Sequence, residues 1–167
     1  MVADAGGTEQ NERPRPQEKG FVAALVAASR ALVGVAARSL TEVEAEVTLQ
    51  QYRALVVLAQ YGELRVRELS EKLTIHPSTT SRLCDRLVGK GLIERDPSPE
   101  SRREVVVTLS SKGMDLVAAV IERRRTEIAR IARHMPAEDR AGLVAALEAF
   151  SSAAGELPDQ AWQLGWS

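Results

Sequence analysis

The chain has little cysteine, little histidine and almost no net charge. One cysteine, Cys84, excludes an intramolecular disulfide, and with only His76 and His134 beside it there is no zinc cluster. No metal or cofactor is therefore expected. The sequence also lacks a nucleophile–base set and a glycine-rich phosphate loop, so no enzyme is expected. Lys and Arg number 22 against 23 Asp and Glu, a net charge of −1. The molecule as a whole is thus not a basic nucleic-acid binder, and any such role must rest on local charge placement. The N-terminus lacks the apolar core of a secretion signal, and no internal repeat occurs. The longest apolar stretch, Gly20 to Leu40, is interrupted by Arg30 and Arg38. A charge at a bilayer centre costs roughly 2.5–3.5 kcal/mol, which favours a buried soluble helix, a cytoplasmic protein and no membrane partner.

What is present is ordinary globular composition, 44% apolar and 27% charged, enough for a core in one domain of 167 residues. Residues 1–18 are polar with Gly and Pro, which predicts a disordered tail. Residues 19–153 form the domain, and 154–167 form a tail holding Trp162 and Trp166. Phe21 to about Val47 reads as a helix apolar on more than one face, the second face meeting a partner chain. Thr48 and Gln51 make a capping box for a helix from Leu49 to Gln60, closed by Gly62. Glu63 to Arg65 is a link that could add a small strand. A short helix, Arg67 to Leu73, precedes a turn of Thr74, Ile75 and His76. Pro77 opens the next helix, which runs to about Lys90 and stops at Gly91. Leu92–Arg95 and Glu104–Leu109 have strand composition, and Asp96–Arg103 reads as a polar loop. Ser110 caps a long helix to about His134. Pro136 opens a last helix to about Ala153, with Leu143, Val144, Leu147 and Phe150 inward.

Helix, turn, helix, strand, loop and strand, in that order from Arg65 to Gly113, is the order of a winged helix-turn-helix. At 100° per residue, Thr80, Leu83 and Leu87 share the inner face of the Pro77–Lys90 helix, with Cys84 at its edge. Ser78, Arg82, Asp85 and Gly89 point outward, flanked by Thr79, Ser81 and Arg86. Hydroxyls and helix-end N–H groups suit phosphates, and Arg can bind guanine O6 and N7. Arg102 and Arg103 fall at the hairpin tip, free to enter a minor groove. From Gly62 to Glu104 there are nine Lys/Arg and eight Asp/Glu, a local net of +1. Binding would rest on a few placed arginines.

The run from Leu49 to Gly113 resembles the DNA-binding core of the MarR family of winged-helix regulators. The resemblance is carried by Leu69-Ser70-Glu71-Lys72-Leu73 and Ser78-Thr79-Thr80-Ser81-Arg82-Leu83. It continues in Asp85-Arg86-Leu87, Lys90-Gly91-Leu92-Ile93-Glu94-Arg95, Glu100-Ser101-Arg102-Arg103-Glu104-Val105 and Leu109-Ser110-Ser111-Lys112-Gly113. It implies a mainly α fold with a small β-hairpin wing, in which 49–110 binds DNA and helices 19–47 and 111–153 interlock two copies. It implies a homodimer on a palindromic operator in double-stranded DNA, and a repressor relieved by a small aromatic or anionic effector. Ser78, Thr79, Ser81, Arg82 and Arg86 would face the major groove, Arg102 and Arg103 would sit at the wing, and Thr74 and His76 would reach phosphates. Ser101 stands where the family wing carries Asp, which removes an ionic brace from Arg103. Asp85 is expected to pair with Arg82 or a wing arginine. In the family a ligand pocket lies between the dimer helices and the winged module, where Arg30, Arg38, Tyr52 and Arg53 are the polar groups nearest in sequence. Some relatives sense oxidants through cysteine, but the helical phase of Cys84 favours a core role. The bland reading of Arg123, Arg124 and Arg125 is a solvated helix face. The competing function is a winged-helix protein-interaction module with no operator of its own.

Overall fold

The computed structural model describes residues 16–41, 47–98 and 101–156, without the side chains of Pro16, Gln17, Ser98 and residues 101–104. Six helices and three strands follow in the order α1 (Pro16–Thr41), α2 (Leu49–Tyr61), β1 (Leu64–Arg65), α3 (Val66–Leu73) and α4 (Pro77–Gly89). Then come β2 (Ile93–Ser98), β3 (Ser101–Leu109), α5 (Ser111–Ala132) and α6 (Ala137–Ala153). The sheet is antiparallel, in the order β1-β3-β2. The chain divides into two compact units, residues 1–34 and 35–167.

The first unit holds most of α1. The helix starts at Pro16 and takes in the last three residues of the stretch expected as a tail, with Pro in the favoured first position. Its described part runs to Thr41, and residues 42–46 of the expected helix lie outside the described residues. Phe21, Val22 and Val26 are exposed, as are Leu32 and Val33. A buried helix was expected, and these apolar residues are exposed among the described residues. The span from residue 18 to 41 is long and apolar enough to cross a membrane by length and composition, with Arg30 and Arg38 inside it.

In the second unit α2 is the central helix. Tyr52, Ala54, Leu55, Val57, Leu58 and Ala59 are buried, so it is surrounded on several sides, while Leu49 at its start is exposed. Thr48 and Gln51 form the capping box, and Gly62 ends the helix with φ 73°. Leu69 and Leu73 of α3 join Leu83, Cys84 and Leu87 of α4, Val107 of β3, and Val117 and Val120 of α5 in one core. At the end of α1, Val35 is buried together with Leu40.

The segment 96–103, read as a loop, is mostly strand. β2 continues through Asp96, Pro97 and Ser98, and β3 begins at Ser101. Pro97 is tolerated because β2 is an edge strand, and the register is irregular between Pro97 and Ser98. The second correction concerns α6. Leu143, Val144, Leu147 and Phe150 are not inward; all are 38% or more exposed, and no residue of the helix is buried. An apolar pattern shows that a face seeks cover but not which chain provides it.

Candidate nucleic-acid interface

The geometry of α4 follows from how its two ends are tied. At the entry, Thr74 adopts the left-handed conformation (φ 56°, ψ 42°), which turns the chain sharply between α3 and α4. His76 is the N-cap: its Nδ1 accepts from the backbone N–H of Ser78 at 3.3 Å and lies 2.8 Å from the Ser78 hydroxyl. This role was not read from the sequence, since His is an uncommon cap. Thr80 donates its hydroxyl to the His76 carbonyl from a fully buried position. At the exit, Gly91 has φ 68°. Its N–H meets the Val88 carbonyl, and the Leu92 N–H meets that of Leu87, a Schellman closure.

Between these ends the inner face is Thr80, Leu83, Cys84 and Leu87, as the helical phase predicts. Ser78, Thr79, Arg82 and Arg86 are exposed, and Ser81 is half-buried. Arg82 and Arg86 carry no ion pair or side-chain hydrogen bond among the described residues. The other arginines around them are engaged. Arg67 pairs with Glu71 at 3.1 Å, Arg65 with Glu68 at 3.6 Å, and Arg95 with Asp85 at 2.6 Å. So the face contains two uncommitted cations, one turn apart, beside exposed hydroxyls and the capped N-terminus of the helix.

Asp85 does pair internally, but its partner is Arg95 on β2, neither Arg82 nor a residue at the wing tip. Arg95 went unread because its partner lies ten residues away and only the packing of β2 on α4 joins them. A groove of about 570 Å³ opens beside this pair, between α3, Ser81 of α4 and Val105 of β3. Cys84 is fully buried, and burial pushes its thiol up, partly opposed by Arg95. Thr74 and His76 are exposed in the turn. The side chains of Arg102, Arg103 and Ser101 lie outside the described residues, although the backbone of β3 runs through all three. Among the described residues no group of His, Cys, Asp and Glu is arranged to hold a metal.

Of the residues suggested for a ligand pocket, Arg30 and Arg53 are exposed. Arg38 donates to Glu127 at 2.8 Å. Tyr52 is buried, its hydroxyl has no hydrogen-bond partner among the described residues, and the Arg124 guanidinium lies 5.7 Å from its ring centre. Burial pushes the Tyr52 hydroxyl up, and Arg124 pulls the other way.

The fold agrees with what the chain is similar to. The MarR family model matches residues 47–105. The structure of RV1404 from Mycobacterium tuberculosis is 43% identical and superposes with a TM-score of 0.81, covering 87% of this chain and 99% of that one. A MarR family protein from Bacillus stearothermophilus is 25% identical with a TM-score of 0.76, covering 87% and 100%. The HTH-type transcriptional repressor MdtR from Bacillus subtilis is 30% identical over 56% of this chain, and the match spans 60% of that protein's length. Residues 47–105 hold the capped α2, the helix-turn-helix and most of the wing. With RV1404 matched almost end to end, the chain belongs to the MarR family of transcriptional regulators, with a DNA-binding winged helix.

Proposed function

We propose that the protein is a homodimeric, sequence-specific DNA-binding repressor of a nearby operon, relieved by a small aromatic or anionic ligand. The observation that carries the reading is the exposed outer face of α4. Arg82 and Arg86 stand without partners while their neighbours Arg65, Arg67 and Arg95 are paired, and Ser78, Thr79 and Ser81 lie along the same helix. In this reading these five residues face the major groove. Arg102 and Arg103 enter the minor groove from the wing, and Thr74 and His76 approach phosphates. A DNA partner fits a cytoplasmic protein, and the reading includes that location.

Dimerisation is supported by the apolar residues that the chain leaves uncovered, Phe21 to Val33 on α1 and Leu143 to Phe150 on α6. Domains 19–47 and 111–153 are then the dimer helices. Ligand relief is supported by Tyr52 and Arg124, whose buried polar atoms lack partners and would gain them from an anionic or phenolic compound. MdtR, a relative, is a transcriptional repressor by name.

The test is a salt-titrated gel shift with the DNA upstream of the protein's own gene. Specific binding that weakens steeply with salt is expected. Arg82→Ala should lower affinity for the specific duplex alone, and Arg103→Ala should lower affinity for all duplexes. Sequence-independent or absent binding would leave the winged helix as a protein-interaction module.

A further inference from the structure

Arg95 sits on β2 opposite Val107 and points toward α4. Its Nη1 donates to Asp85 Oδ1 at 2.6 Å, and its Nη2 donates to the Ser81 carbonyl at 3.2 Å. The Arg95 side chain is 30% exposed and that of Asp85 58%. Asp85 therefore lies at the water-facing side of the helix that carries Arg82 and Arg86, one turn after the first and next to the second. It is the acid on that helix, and in the DNA-binding reading it would face a polyanion. Its charge would oppose phosphates unless it were matched.

We infer that Arg95 is a positioning residue for DNA recognition: it neutralises and immobilises Asp85 on the outer face of α4 and fixes the first wing strand to that helix, without touching DNA. Two features carry this. The guanidinium takes two acceptors on successive turns of α4, so it fixes the helix against β2 in both rotation and distance. The same guanidinium is committed inward, so Arg82 and Arg86 are the cations that α4 itself offers to bases and phosphates. The inference rests on the regulator reading and goes beyond it, because it assigns a DNA-binding role to a residue that makes no DNA contact.

Wild type is first used to select a duplex from a random-sequence pool. Arg95→Met, Asp85→Asn and the double variant are then measured on that duplex across a salt series, with thermal melts of each. Arg95→Met should weaken binding about tenfold, because it leaves an unmatched carboxylate on the DNA face. Asp85→Asn in the same chain should recover most of that loss. The dependence of log affinity on log salt should stay at the wild-type slope in Arg95→Met, whereas loss of a phosphate contact lowers it by about one. Arg95→Lys keeps the charge without the fork and should fall between wild type and Arg95→Met, which guards against a misfolded Met variant. Unchanged affinity in Arg95→Met overturns the inference. So does a double variant that binds no better than Arg95→Met, or a slope that drops by one. If wild type selects no duplex, the regulator reading itself fails, and the inference with it.

Discussion

Ser110, the N-cap of α5, donates its hydroxyl to the carbonyl of Gly91 at 2.7 Å, and so joins the start of α5 to the end of the recognition helix. The same oxygen accepts from the Gly113 N–H at 3.0 Å, and the Ser110 N–H reaches the Leu92 carbonyl at 3.2 Å. Lys112 adds a bond from Nζ to the Lys90 carbonyl. Ser110→Ala removes a cap and leaves the Gly91 carbonyl with one partner fewer, and should cost about 1–2 kcal/mol in denaturant unfolding. Gly113→Ala should cost more, because a Cβ there would lie 2.1 Å from the Leu92 carbonyl oxygen. A melt within error of wild type for both variants would show that the joint is not needed for stability.

Thr74 should be a site where the protein gains stability. A β-branched residue with φ 56° is held in a conformation that costs it roughly 1–2 kcal/mol, a cost glycine does not bear. Glycine offsets part of the gain through its looser unfolded state. Thr74→Gly should raise unfolding free energy by about 0.5–1 kcal/mol. A lower melting temperature than wild type would count against strain at this turn.

His76 should matter to the recognition helix as a cap before it matters as a contact. His76→Ala removes the acceptor for the Ser78 N–H and should lower stability by about 1 kcal/mol. His76→Asn keeps a capping oxygen and should return most of the loss. Equal melts for the two variants would refute the capping role.

The uncovered face of α6 predicts the assembly state. Leu147→Glu with Phe150→Glu places charges where the proposed dimer would bury apolar surface. Sedimentation should then read a monomer where wild type reads a dimer, at micromolar concentration, because unpaired buried charges cost several kcal/mol. A wild-type monomer under the same conditions would remove the dimer from the proposal.

Cys84 should be silent in the folded protein at neutral pH. Burial raises its thiol, so the neutral form prevails and a thiol reagent should label it slowly until denaturant is added. The sign for stability follows from that. A thiol raised by folding favours the folded state at low pH, and that contribution is lost as pH rises through the shifted range. Cys84→Ala should therefore show a smaller loss of stability on the alkaline side. Fast labelling of wild type at pH 7 would instead favour an oxidant-sensing role.

Much of this protein was legible in local chemistry. Thr48 with Gln51, Pro77, Gly91 and Ser110 mark the element ends because caps and turns are satisfied by residues within a few positions of each other. The 100° step sorted Thr80, Leu83, Cys84 and Leu87 from Ser78, Arg82 and Arg86, since a helix has one period and α4 one core face. Tertiary structure decided the rest. It paired Asp85 with Arg95, extended β2 through Pro97 at a sheet edge, and left the apolar faces of α1 and α6 uncovered. Each depends on contacts between segments distant in sequence, or on surface that this chain alone does not bury. A pattern of residue types states what a side chain requires, and only packing determines which group supplies it.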